Sequence, residues 1–259
     1  MFSKLFGKKK EEGGLKYGPA NPNGYGNWSF LGTDMHSHMI PGIDDGAQTM
    51  EDSIMLIQRL QAMGYKSAIT TPHIKYDHYP NNSFNIQQGL HALQQALHER
   101  NINFPIRAAA EYYIDDHFIQ LLEAGELMPI VDNQVLVEIS FMFEPIRFDD
   151  ILFRIQTKGY KPIMAHPERY AYYHGNLDAY RDLRDKGCHL QLNTLSLFGY
   201  YGRSVKMAAE QILAAGLYDY CGTDMHHIKH ADNLQAMLQS GVMTALQQYP
   251  FLNSRLQLA

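Results

Sequence analysis

Seven short apolar runs, each followed by a longer segment of helical periodicity, alternate strictly from Trp28 onward. The runs are Trp28 to His36, Lys66 to Thr71, Ile106 to Glu111, Gln134 to Glu138, Lys161 to His166, Cys188 to Asn193 and Tyr218 to Asp224. Between and after them the pattern predicts helices near residues 50–63, 83–100, 115–124, 147–158, 176–186, 203–215 and 231–247. Strands linked by helical crossovers lie parallel. A closed barrel and an open doubly wound sheet both satisfy that rule, and the polar residues separate them. His36, His73, Glu111, Glu138, His166 and Asp224 all stand at the C-terminal ends of their runs. Donors from six strand ends converge on one centre only if the strands ring it. An open sheet gathers its site at a single switch point instead. The expectation is an α/β chain folded as a seven-unit (β/α) barrel.

Local signals support the helices. Thr49 with Asp52 predicts a capping box for the first, and Ser83 is the expected N-cap of the second. Gly125, Gly159, Gly187 and Gly216 close four others.

The chemistry begins at Asp34-Met35-His36-Ser37-His38. Two imidazoles two residues apart on extended chain face one spot, which is how a divalent transition metal is presented. That pair alone is a weak signal. A strand-end His commonly bonds to backbone, and a strand-end Glu commonly caps the next helix. Neither habit explains so many ionisable groups on one face, where carboxylates repel unless cations separate them. Asp45, in the Gly42–Gly46 loop, and His226, two residues after Asp224, bring the donors to nine. Nine exceed the needs of one zinc, so two or three metals sharing carboxylates are expected.

Other classes fit poorly. A chain of 259 residues, 45% hydrophobic, has ample core for one large α/β domain, here placed at 27–259. A net charge of -5 offers no electrostatic footprint for nucleic acid. Cysteine phosphatases place an Arg six residues beyond the nucleophile, but Thr194 follows Cys188 and His227 follows Cys221 at that spacing. No phosphate-binding G-x-x-x-x-G-K-[ST] loop occurs. Two cysteines and no secretion signal suggest a reducing, cytoplasmic setting. Residues 1–26 read as a flexible basic tail, with Phe2, Leu5 and Phe6 beside four lysines as the basis for a weak membrane-surface contact.

The ordered motifs Asp34-x-His36-x-His38, Pro41-Gly42-x-Asp44-Asp45-Gly46, Thr71-Pro72-His73, His166-Pro167-Glu168-Arg169-Tyr170 and Thr223-Asp224-x-His226 resemble the polymerase-and-histidinol-phosphatase (PHP) superfamily. More closely, they resemble the bacterial capsule-biosynthesis tyrosine phosphatases of the CpsB/CapC/YwqE type. The resemblance spans roughly residues 30 to 230. It implies a distorted (β/α)7 barrel with a trinuclear manganese, iron or zinc centre, manganese foremost. It also implies phosphotyrosine hydrolysis on the tail of a membrane tyrosine autokinase that controls polysaccharide export. By that resemblance His36, His38, Glu111 and Asp224 hold a first metal. Glu111, Glu138 and His166 hold a second, and Asp45, His73 and His226 a third. Arg169 grips phosphate. Members commonly carry a further arginine after the last motif, where this chain reads His227-Ile228-Lys229-His230. Lys229 or His230 is the expected replacement.

Bound metals would supply hydroxide near neutral pH for in-line attack, leaving charge stabilisation to Arg169. A phenolate leaving group makes an acid less urgent, with His230 or His227 available for that task. Asn193 is read as either a substrate hydrogen bond or a loop brace. The aromatic residues after runs two to six, from Tyr76 to Tyr201, are read mostly as loop packing, with a minority on substrate. The alternatives are a phosphatase of a small ester such as histidinol phosphate and a non-catalytic metal-binding regulatory module.

Overall fold

The computed structural model describes residues 26–256. The expected tail lies outside the described residues except for Gly26. Nine strands occur among them: β1 Thr33–Asp34, β2 Ser67–Thr70, β3 His73–Ile74, β4 Ile106–Ala108, β5 Glu111–Tyr113, β6 Gln134–Glu138, β7 Lys161–Ala165, β8 His189–Asn193 and β9 Tyr220–Gly222. The described α-helices are α1 Met50–Ala62, α2 Ser83–Glu99, α3 Asp116–Ala124, α4 Phe148–Thr157, α5 Leu177–Asp185, α6 Thr194–Phe198, α7 Arg203–Ala214, α8 Ile228–Met237 and α9 Val242–Gln248.

Every strand pairing is parallel. One sheet has the order β1-β2-β4 and the other β3-β5-β6-β7-β8-β9. Nine strands arise from seven runs because extended chain resumes at His73, just past the end of run two, and run three breaks once. Pro72 has no N–H for the ladder and splits β2 from β3. The Ala109-Ala110 pair splits β4 from β5 at the same level. Backbone bonds from Ala109 to Thr70 (2.9 Å) and from Glu111 to Pro72 (3.1 Å) carry the alignment across both breaks. A parallel bridge between Ser37 and Met225 links the first run to the last.

Alternation along the strands sorts the core. Val135 and Val137 face the helices in the large apolar cluster, whereas Leu136 belongs to a smaller cluster with Met35, Ile69, Ala109, Ile163, Ala165 and Tyr220. Residues two apart share a face. Following Ile69, Ala109, Leu136 and Tyr220 along that face leads to His73, Glu111, Glu138 and Asp224. The donors therefore stand at one end of the surface whose other end is packed with aliphatic side chains.

Several local expectations change. Trp28–Phe30 is a 3-10 turn, capped by the Asn27 side chain, so extended chain begins only at Thr33. Asn82, in a capping box with Asn85, starts α2 in place of Ser83. The last helical segment is two helices, α8 and α9, parted around Gly241. Helix α6 was not anticipated; its five residues are too few for a periodic signal. The Thr49–Asp52 capping box on α1 is present as expected. No described helix is long and apolar enough to cross a membrane.

Candidate active site

The H-x-H pair lands as its spacing requires. His36 and His38 are fully buried, and their Nε2 atoms lie 3.4 Å apart. Gly46 lets the loop carrying Asp44 and Asp45 close onto them, because a Cβ there would collide with His38. Gly222 likewise leaves room for His36 and Gln191. His166 and Asp224 adopt left-handed backbone, with φ of 36° and 50°. That conformation is costly for non-glycine residues and clusters at functional sites.

Glu111 is the centre of the constellation. Its Oε2 lies 3.2 Å from His36 Nε2, 3.5 Å from His38 Nε2 and 3.1 Å from His73 Nδ1, and its Oε1 lies 3.2 Å from His166 Nε2. Asp224 Oδ1 lies 3.2 Å from His36 and 3.5 Å from both His38 and His226. Glu138 approaches His166 at 3.6 Å, and Asp45 approaches both His73 and His226 at 3.5 Å. Donor atoms fall into three groups whose members lie within 4.8 Å of one another: His36, His38, Glu111 and Asp224; His38, Asp45, His73 and His226; and His73, Glu111 and Glu138. All nine expected donors thus converge. His38, His73 and Glu111 each belong to two groups, and His166 joins through Glu111 and Glu138.

These residues fit divalent cations on grounds internal to the protein. Glu111 Oε2 is buried without a conventional hydrogen-bond donor, and His73 Nδ1 and His166 Nδ1 are in the same condition. Burial opposes charge on His36, yet Glu111 and Asp224 overcome it and raise its pKa to about 10. Burial, reinforced by Glu111, lifts Glu138 to about 8 despite Arg169. Without a metal, the carboxylates draw protons into the site; a cation supplies that charge directly. Mixed His and carboxylate donors suit several such ions.

Residues behind the donors fix their orientation. His38 Nδ1 lies 2.8 Å from Asp44 Oδ2, which also accepts the His73 backbone N–H at 3.1 Å. Burial disfavours the Asp44 carboxylate, but His38 holds its pKa below the usual range. His36 Nδ1 meets Gln191 Oε1 at 3.2 Å. Sequence reasoning passed over both supports as supports. The D-D pair carried the signal for Asp44, whereas Gln191 shows only as a polar residue inside an apolar run.

The donors open onto a cavity of about 370 Å³. Arg169 lines it, with Nη1 donating to Asp224 Oδ2 at 3.0 Å and its guanidinium between the rings of Phe141 (4.7 Å) and Tyr201 (4.4 Å). His227 and His230 also line the cavity. Lys229 is exposed on α8 and is not part of the wall, because the helix turns it outward. Asn193 is fully buried, and its amide donates to Asp224 Oδ2 (2.9 Å) and Tyr201 Oη (3.1 Å). It reaches the site through those side chains, which is the bracing alternative. Cys188 and Cys221 are buried away from the cavity, and burial pushes both thiols up to about 12. Both suit packing better than nucleophilic attack.

Residues 32–241 match the family model for capsular polysaccharide synthesis, CpsB/CapC. The chain belongs to the CpsB/CapC family. Among family relatives, tyrosine-protein phosphatase YwqE of Bacillus subtilis is 28% identical over 197 residues, covering 76% of this chain and 78% of YwqE. Tyrosine-protein phosphatase CpsB of Streptococcus pneumoniae is 26% identical over 201 residues, covering 75% and 83%. The fold is similar to a chain from the crystal structures of YwqE and CpsB, described as metal-dependent tyrosine phosphatases. The TM-score is 0.72 at 26% identity, over 83% of this chain and 95% of that one.

Proposed function

We propose that this chain is a metal-dependent protein-tyrosine phosphatase acting within capsular or exopolysaccharide synthesis. The observation that carries the reading is the set of three donor groups around Glu111, open to a cavity whose wall includes Arg169. YwqE and CpsB, similar over most of their length, are named for that activity.

The nine donors His36, His38, Asp45, His73, Glu111, Glu138, His166, Asp224 and His226 would hold two or three divalent ions, manganese foremost. Bound there, such ions lower the pKa of water and neutralise charge on a phosphate ester. The chain's own residues supply the rest. Arg169 presents a planar fork to two phosphate oxygens, held in place by Asp224 and the flanking rings. Phe141 and Tyr201 give a substrate ring apolar surface at the same wall. Tyrosine's phenolate, with a pKa of about 10, leaves with little need of a proton. That suits His230, whose pKa burial and His227 lower to about 4, so that it is neutral at pH 7.

The finer architecture follows the same reading: one domain from residue 27 onward, folded as a distorted (β/α)7 barrel. Asp224 N–H bonds to His36 O at 2.7 Å and His38 N–H to Met225 O at 3.0 Å, which supports closure between the first and last runs. A phosphotyrosine tail of a membrane tyrosine autokinase is the inferred substrate, met in the cytoplasm.

The test compares a phosphotyrosine peptide, a phosphoserine peptide and histidinol phosphate, using metal-stripped protein reloaded with manganese. Metal-restored turnover confined to phosphotyrosine supports the reading. Faster turnover of histidinol phosphate assigns a small-molecule substrate, and stoichiometric metal binding without turnover assigns a regulatory module.

A further inference from the structure

We infer that Lys75 is a second phosphate-binding cation of the cavity, acting across from Arg169; the inference rests on the phosphatase reading and names a residue that reading does not use. Lys75 lies two residues beyond His73, so extended chain projects it on the same face as the donors. Strand β3 pairs with β5 through His73 with Glu111 and Ile74 with Tyr112, and continuing that register by one residue brings Lys75 beside Tyr113. The Lys75 ammonium rests 4.2 Å from the centre of the Tyr113 ring, and Lys75 lines the same cavity as Glu138 and Arg169. An antiparallel bridge to Tyr79 fixes its backbone in a tight turn.

The cation inventory gives this placement its meaning. Among the described residues, Arg169 and Lys75 are the only Arg or Lys in the cavity wall. Arg169 is already paired with Asp224. Lys75 forms no carboxylate ion pair among the described residues and has the face of an aromatic ring in its place. A ring face holds an ammonium only weakly at a partly exposed site. A phosphate dianion offers it charge-assisted hydrogen bonds roughly twice as strong as neutral ones. Four flexible methylenes let the ammonium leave the ring and follow the phosphate. Tyr113 thus parks the cation beside the site while the cavity is empty of substrate.

The experiment measures inorganic phosphate binding by calorimetry, and kcat and KM on a phosphotyrosine peptide, for manganese-loaded wild type, Lys75→Met and Lys75→Arg. Lys75→Met keeps the stem on Tyr113 and removes the charge. Losing one charge-assisted contact should weaken phosphate binding and lower kcat/KM, each by roughly 10- to 100-fold, while Lys75→Arg restores most of both. An unchanged melting temperature in Lys75→Met separates this loss from unfolding. Phosphate binding and turnover equal to wild type in Lys75→Met overturn the inference, as does an equal loss in Lys75→Arg. If wild type hydrolyses nothing, the phosphatase reading fails, and the phosphate-binding arm alone still decides the role of Lys75.

Discussion

Arg169 has its position over-determined by Asp224, Phe141 and Tyr201. Removing a preorganised donor to a developing phosphoryl charge costs roughly 100-fold or more in turnover. Arg169→Ala should show that loss in kcat/KM on a phosphotyrosine peptide. Arg169→Lys should recover only part of it, because a point charge cannot reproduce the fork. A behind-the-scenes residue makes a different prediction. Asp44 orients His38 and should act through metal affinity, so Asp44→Asn should weaken manganese binding by roughly 10- to 100-fold in a direct titration. Wild-type affinity in that variant would remove Asp44 from the site's support. Such supports were the least legible part of the sequence. A ligand announces itself by recurring at the ends of apolar runs, as His36, Glu111 and Asp224 do, although Glu111 opens β5 in the fold. Gln191 and Asp44 matter through the ring nitrogens and backbone groups they meet, and spacing along the chain does not encode that.

At the scale of elements, the helices were legible where a cap and a period coincide. Thr49 and Asp52 marked the start of α1 because both halves of a capping box are local in sequence. Thr49→Ala should therefore cost about 1 kcal/mol in chemical denaturation, without changing activity. Pro72 marked the end of run two because it has no N–H, but the resumption of extended chain at His73 and the break at Ala109-Ala110 left no comparable trace, since register between neighbouring strands is a tertiary property. Segment 231–247 read as one helix because its apolar period runs on past Gly241. The 3-10 turn after β7 carries a buried acid, Glu168, which accepts from Asn193 N–H (2.9 Å) and Tyr218 Oη (2.9 Å). Burial raises its pKa to about 7 despite those bonds. A raised acid keeps its proton in the folded chain after the unfolded chain has lost it, so stability falls between the ordinary value and about pH 7. Glu168→Gln removes that dependence. Thermal melts of metal-free protein should show the variant gaining on wild type from pH 5 to pH 8, and a constant difference would refute the assignment.

For the whole molecule, the same parallel alternation that gave the fold class also dictated where the chemistry sits. Aliphatic residues such as Leu136 fill one end of a shared face, and donors such as Glu138 occupy the other. Several buried ionisable groups then depend on ions for their compensation, which couples metal binding to stability. Chelation should lower the melting temperature and manganese should restore it; a melt indifferent to both would mean that protons alone satisfy the site. The most direct test of the central claim is hydrolysis of a phosphotyrosine peptide by stripped and manganese-reloaded protein, beside a His166→Ala variant. The account predicts no turnover when stripped, recovery on reloading, and little in the variant. Equal turnover with and without metal would contradict it.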